Sequence, residues 1–157
     1  MAMTSKQRIA AAVAAASAIA IPAEGLRQFA YYDPPGILTV CYGSTTNVEK
    51  GRKYSLAECQ ERLDDDMTLA VATVEGCQPN LPENVLAAFS DAVYNLGPTI
   101  ACDRAKSTAA RLLAAKQYDA ACNQLPRWNK ARVGGQMVEL PGLTKRREAE
   151  KRLCLGG

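Results

Sequence analysis

The chain has 157 residues, enough for one compact domain or two small lobes sharing a helix. Its 19 Lys and Arg against 16 Asp and Glu give a net charge of +3, which lacks the concentrated basic stripe of a nucleic-acid binder and is compatible with an anionic cell-wall polymer. There is no histidine and no Cys-x-x-Cys pair, so a zinc site is not expected, and no cofactor is implied.

The N-terminus comes first. Lys6 and Arg8 precede an uncharged apolar run, Ile9 to Ile21, which Pro22 stops. Thirteen residues match the apolar core of an export signal and fall short of the roughly 20 that span a bilayer comfortably. Three readings compete. A cleaved signal peptide, cut near Ala18-x-Ala20, would leave the next acidic residue, Glu24, almost at a free amino terminus. A buried helix of a cytosolic protein fits poorly with six cysteines. The preferred reading is an uncleaved anchor over residues 9–21, exported, held transiently in the inner membrane and later released. Only Ile9, Val13, Ile19 and Ile21 are strongly apolar, together about −2 kcal/mol on the insertion scale, so membrane residence would be marginal and reversible. On release the segment would pack as a helix and set Glu24 in place; added leucines would trap it.

Glu24 opens the most informative stretch, Glu24-Gly25-Leu26-Arg27-Gln28-Phe29-Ala30-Tyr31-Tyr32-Asp33, with Thr39 six residues beyond Asp33. Pro34-Pro35-Gly36 marks a turn, since proline fixes φ and glycine tolerates positive φ. Ile37 to Tyr42 is short, β-branched and aromatic, and reads as a strand. Asp33 then lies at the mouth of a hairpin, Thr39 on its far arm and Glu24 at the end of the apolar helix. Two carboxyls facing each other across a groove are what glycoside hydrolysis requires: one protonated to donate to the leaving oxygen, one ionised to activate water. An apolar surround favours the neutral form and a polar turn the ionised one, which assigns Glu24 as acid and Asp33 as base.

Ser55-x-x-Glu58 is a capping box, and Leu56, Cys59, Leu63, Met67, Ala70, Val71 and Val74 follow at helical spacing until Gly76. This predicts a connecting helix over about 55–76, with Asp64-Asp65-Asp66 as a solvated face. Pro82 starts a helix through Tyr94 that Gly97 stops. Ser107 caps a helix to Lys116, and Tyr118 to Leu125 reads as another. Pro141-Gly142 reads as a turn, and Leu143 to Leu155 as a basic amphipathic closing helix, with membrane-surface binding a lesser reading. Strand patterning is confined to the segment near 31–54. The expected fold is therefore α+β, mostly α: residues 1–23 as anchor, then one catalytic domain over 24–157, with a hairpin lobe to about 54 and a helical lobe from about 80. Trp128, the single tryptophan, reads as core rather than as a sugar platform.

Six cysteines at 41, 59, 77, 102, 122 and 154 in a chain that looks exported suggest three disulfides. The layout favours Cys41–Cys59, Cys77–Cys102 and Cys122–Cys154 among the fifteen possible pairings.

The ordered motifs Glu24-Gly25, Tyr31-x-Asp33, Gly36, Thr39-Val40-x-Tyr42-Gly43-x-Thr45, Tyr94-Asn95-Leu96-Gly97, Arg127-Trp128 and Gly142-Leu143-x-x-Arg146-Arg147-x-x-Glu150 resemble the phage lysozymes of the T-even type and their lambdoid endolysin relatives. The apolar N-terminus looks like that of the signal-anchor-release endolysins. The resemblance implies a lysozyme-like fold, with the family's catalytic Glu, Asp and Thr on Glu24, Asp33 and Thr39. It also implies substrate contacts at Thr45, Tyr94 and Asn95; Arg146, Arg147 and Glu150 read as a structural ion-pair cluster rather than a catalytic one. Ser44 departs from the histidine that often follows Tyr-Gly in the family. The implied activity is hydrolysis of the β-1,4 bond between N-acetylmuramic acid and N-acetylglucosamine in peptidoglycan, with inversion. The implied setting is a phage-encoded monomer in the periplasm of a Gram-negative host. A lytic transglycosylase and a non-catalytic lysis protein remain alternatives.

Overall fold

A computed structural model describes residues 3–157; Met1 and Ala2 of the expected anchor segment lie outside the described residues. Helix α1 runs Ser5–Glu24, opened by a capping box in which Thr4 and Gln7 each bond the other's backbone N–H. The helix passes through Pro22 instead of stopping before it. The ring removes the bond to the Ala18 carbonyl and crowds it, and the helix continues only two residues further, the Gly25 N–H still reaching the Ile21 carbonyl. Gly25, at φ 72, is where the chain leaves the helix. Ala12, Ala16 and Ala20 recur every four residues and are fully buried. Their small side chains let α1 pack against helices α2, α3 and α7 defined below. Among the described residues no helix is long and apolar enough to cross a membrane.

Strands β1 (Arg27–Tyr32) and β2 (Leu38–Cys41) form an antiparallel hairpin in which Tyr31 faces Thr39 and Tyr32 faces Leu38. β1 begins earlier than the expected strand region, because Gly25 releases the chain into extended backbone and Phe29 bridges back to Lys53. The hairpin lobe has its own small core of Val40, Cys41, Tyr54 and Cys59. Helix α2, Leu56–Cys77, carries the predicted Ser55–Glu58 box and continues through Gly76. Its Cys59 belongs to the small core, while Leu63, Met67, Val71 and Val74 belong to the large one, so one rigid helix joins the lobes.

Helix α3, Glu83–Leu96, is buried without interruption from Val85 to Val93, too apolar all round for a surface helix. It is the central element, packed on α1, α2 and the last helix. Gly97, at φ 91, ends it. Helices α4 (Thr99–Cys102), α5 (Thr108–Ala114, capped by Ser107) and α6 (Tyr118–Cys122) follow, then a 3₁₀ turn over Leu125–Arg127. The helix expected to Leu125 thus breaks after Cys122. A second hairpin, β3 (Lys130–Val133) with β4 (Gln136–Glu139), contradicts the confinement of strands to 31–54. Its turn is Gly134-Gly135, both at positive φ, the conformation a two-residue hairpin turn needs. Helix α7, Pro141–Cys154, includes Pro141-Gly142 in its first turn, where a missing N–H costs nothing.

The three disulfides are those the layout favours, with Cα separations of 4.9, 5.5 and 5.6 Å, and among the described residues no cysteine is free. Cys41–Cys59 ties the β1–β2 hairpin to α2. Cys77–Cys102 ties the end of α2 to α4, and Cys122–Cys154 ties α6 to the end of α7. The architecture is α+β and mostly helical, as the sequence predicts.

Candidate active site

Glu24 is the last residue of α1, so its carboxyl projects where the helix gives way to the hairpin lobe. Arg146 Nη1 donates to Glu24 Oε1 at 2.5 Å. On the other side lies Gly43, at φ 84, where an added Cβ would come within 2.9 Å of Glu24 Oε2. The positive φ favours glycine here, and a side chain would also push the Glu24 carboxyl from its place, which gives the Tyr42-Gly43 motif a physical reason. The side chain of Glu24 keeps 22% exposure, while that of Arg146 keeps 4%.

Asp33 follows β1 at the hairpin mouth. Its Oδ1 accepts from the Ile37 N–H at 2.8 Å, and its carbonyl accepts from the Gly36 N–H. The turn therefore holds the carboxyl through one oxygen. Tyr31 lies near both candidate carboxyls. Burial raises its hydroxyl pKa, Arg27 stacked on its ring at 4.3 Å opposes, and Glu24 and Asp33 each add to the rise. Thr39 is buried opposite Tyr31, and its hydroxyl donates to the Ile37 carbonyl at 2.8 Å. Its proton is thus used by the hairpin, and Oγ1 can serve a water only as acceptor.

Thr45 and Tyr94 line a cavity of about 300 Å³ between the lobes, together with Gly43, Asp66, Leu69 and Val93. The Tyr94 hydroxyl donates across the lobes to the Tyr42 carbonyl at 2.5 Å, and burial, followed by Asp66 and Glu24, raises its pKa. Asn95 points elsewhere: its amide oxygen accepts from Arg147 Nη2 at 2.9 Å. Trp128 is half-buried against the large core, with its carbonyl facing Arg147, in keeping with the core reading.

Two acidic residues take places that the sequence reading missed. Asp64 and Asp65 are exposed as expected, but Asp66 is half-buried at the cavity wall. Burial raises its pKa, opposed by a hydrogen bond with Ser44 and by Arg62. Its position three residues after Leu63 and four before Ala70 sets it beside the apolar stripe, which was the available signal. Asp91 is fully buried in α3, and it grips Arg146 through two hydrogen bonds, Nε to Oδ2 at 2.9 Å and Nη2 to Oδ1 at 2.8 Å. An acid inside an otherwise apolar helix signals a buried partner. Burial disfavours the charge of Arg146, yet Asp91 and Glu24 outweigh it and raise its pKa. Next to this pair, Arg147 Nη2 donates to Glu150 Oε2 at 2.8 Å. Burial, then Asp91, raise the Glu150 pKa well above the usual carboxylate range despite Arg147. The ion-pair cluster expected at Arg146, Arg147 and Glu150 is present, and through Arg146 it reaches Glu24. Among the described residues no group of His, Cys, Asp and Glu is placed to hold a metal ion.

The fold is similar to that of the active form of the P1 phage endolysin Lyz, with a TM-score of 0.79 at 23% identity over 100% of this chain and 97% of that one. It is also similar to the muramidase domain of SpmX from Asticaccaulis excentricus, with a TM-score of 0.77 at 26% identity over 92% of this chain and 95% of that one. In sequence, a SAR-endolysin of Bacteriophage PS119 is 38% identical over 136 residues, 85% of this chain and 77% of that protein. The family model described as Phage lysozyme matches residues 22–150, from the end of α1 to Glu150 and so across every site residue above. The chain belongs to the phage lysozyme family.

Proposed function

We propose that this lysozyme-type glycosidase, an endolysin, cleaves the β-1,4 bond between N-acetylmuramic acid and N-acetylglucosamine in peptidoglycan, with Glu24 as general acid and Asp33 as the carboxylate that activates water. The carrying observation is the setting of Glu24: a partly exposed carboxyl at a helix end, between the Arg146 guanidinium and the Gly43 backbone, with Asp33 held on the turn of the hairpin that follows. Donation needs the protonated form, which a sugar covering the carboxyl favours by excluding water. Asp33, on the hairpin turn, takes the proton of the attacking water, and Thr39 Oγ1 accepts from that water. Thr45 and Tyr94 contact the sugar chain along the cavity between the lobes, with Asp66 facing the same space. Attack from the face opposite the leaving group gives inversion.

Glu24→Gln and Asp33→Asn test the assignment by release of soluble fragments from purified peptidoglycan. Both variants should lose at least about 100-fold in turnover. A lytic Glu24→Gln protein would remove the enzymatic reading. An Asp33→Asn variant that stays active and yields anhydro products would make the enzyme a transglycosylase.

The same proposal covers delivery. Residues 9–21 associate transiently with the inner membrane, and the released segment folds as α1 with Glu24 at its end, leaving residues 24–157 as the catalytic domain in the periplasm. The relative's SAR-endolysin name and the alanine-rich, weakly apolar composition of α1 support this.

A further inference from the structure

Glu24 ends its helix, so its carboxyl takes its position from what it touches. The one hydrogen bond to that carboxyl among the described residues comes from Arg146. Arg146 in turn is not free to wander. Two of its arms, Nε and Nη2, are held by the two oxygens of Asp91, a fork-to-fork pairing that fixes the guanidinium plane and leaves Nη1 aimed at Glu24. Asp91 is fully buried in α3, the helix packed against both α1 and α7. A buried ion pair seldom stabilises more than apolar side chains of the same volume would, so stability alone gives Asp91 little reason to be charged here.

We infer that Asp91 is a positioning residue: by gripping Arg146 it holds the Glu24 carboxyl at the place from which it donates its proton. The inference rests on the assignment of Glu24 as the acid. Three elements meet in this relay, the end of α1, the centre of α3 and the middle of α7. It explains why the closing helix, far away in sequence, carries an arginine that reaches the first helix. Glu150 lies beside Asp91 and pairs with Arg147, and it has no hydrogen bond to Arg146 or Glu24.

The test measures kcat and KM on soluble peptidoglycan fragments, with Tm recorded for each variant. Asp91→Asn loses the charge and one acceptor while keeping its shape, and Arg146→Lys cannot hold Asp91 and Glu24 together. Each should lower kcat about 30- to 100-fold, the scale of an ångström of misplacement, with KM within about twofold. Because both break one relay, the double variant should fall no more than about threefold below the worse single one. A folded Asp91→Asn enzyme with parental kcat, or a loss confined to Tm or KM, would overturn the inference. If Asp91→Asn fails to fold, Arg146→Lys decides by the same criterion. Glu24→Gln in the same series separates the two levels: its retained activity would remove the assignment of the acid, whereas its loss together with an unaffected Asp91→Asn would remove only the relay.

Discussion

Removing the Cys41–Cys59 bond tests how the hairpin is held to the connecting helix. The bond closes a separation of 18 residues, worth about 3 kcal/mol in the chain-entropy model. Cys41 also sits at φ 62, a left-handed conformation that costs a side-chain-bearing residue about 1 kcal/mol. The bond and the surrounding core, with Cys41 and Cys59 both fully buried, sustain that conformation. Cys41→Ala/Cys59→Ala should therefore lose about 3 kcal/mol or slightly more, because two small cavities add to the entropy term. Cys41→Gly/Cys59→Ala should recover about 1 kcal/mol of this, since glycine adopts positive φ freely. Urea unfolding followed by Trp128 fluorescence gives both values, and turnover in the absence of urea reports the hairpin itself. Thr39 lies two residues from Cys41 on the same strand, so turnover should fall several-fold in the alanine pair and less in the glycine pair. A loss below about 1 kcal/mol with unchanged turnover, or no difference between the two pairs, would refute the reasoning.

Three further outcomes follow from the geometry. Burial and Asp91 make Glu150 bind its proton more tightly folded than unfolded, so its contribution is full below the ordinary carboxylate range and is lost as pH rises through its raised folded value; Glu150→Gln should flatten the fall in urea stability as pH rises above the ordinary carboxylate range. Tyr94→Phe removes the hydroxyl that bonds the Tyr42 carbonyl across the lobes, and should cost about 1 kcal/mol in thermal unfolding together with weaker substrate binding. Ala10 and Ala14 face solvent on α1, so Ala10→Leu/Ala14→Leu should leave the purified enzyme's turnover unchanged yet retain it longer in the membrane fraction and delay lysis; unaltered lysis timing would contradict transient anchoring.

Local chemistry carried much of this fold in the sequence. The Ser55–Glu58 box, the Pro82 and Gly97 boundaries and the Ser107 cap each act through neighbours a few residues away, and each appears where its chemistry predicts. The second hairpin was also legible, in Gly134-Gly135 and the alternating Lys130-Ala131-Arg132-Val133, but its strands are four residues long and almost fully exposed, so no buried face marks them. Pro22 and Pro141 were read as boundaries, whereas Pro141 stands at a helix start, where its missing N–H costs nothing, and α1 outlasts Pro22 by two residues. The candidate site divides in the same way. The hairpin setting of Asp33 and Thr39 followed from Pro34-Pro35-Gly36 and a β-branched run. The links of Glu24 to Arg146, and of Arg146 to Asp91, span more than 50 residues each, and no local pattern announces them. Burial decided the rest: three consecutive aspartates look alike in sequence, and only helix phase turns Asp66 toward the cavity.

The most direct measurement of the central claim is the mass of the products released from purified peptidoglycan in water labelled with heavy oxygen. Hydrolysis by the Glu24–Asp33 pair predicts fragments ending in reducing N-acetylmuramic acid with one labelled oxygen at the cleaved carbon, and none from Glu24→Gln. Unlabelled anhydro ends, or labelled fragments ending in N-acetylglucosamine, would contradict it.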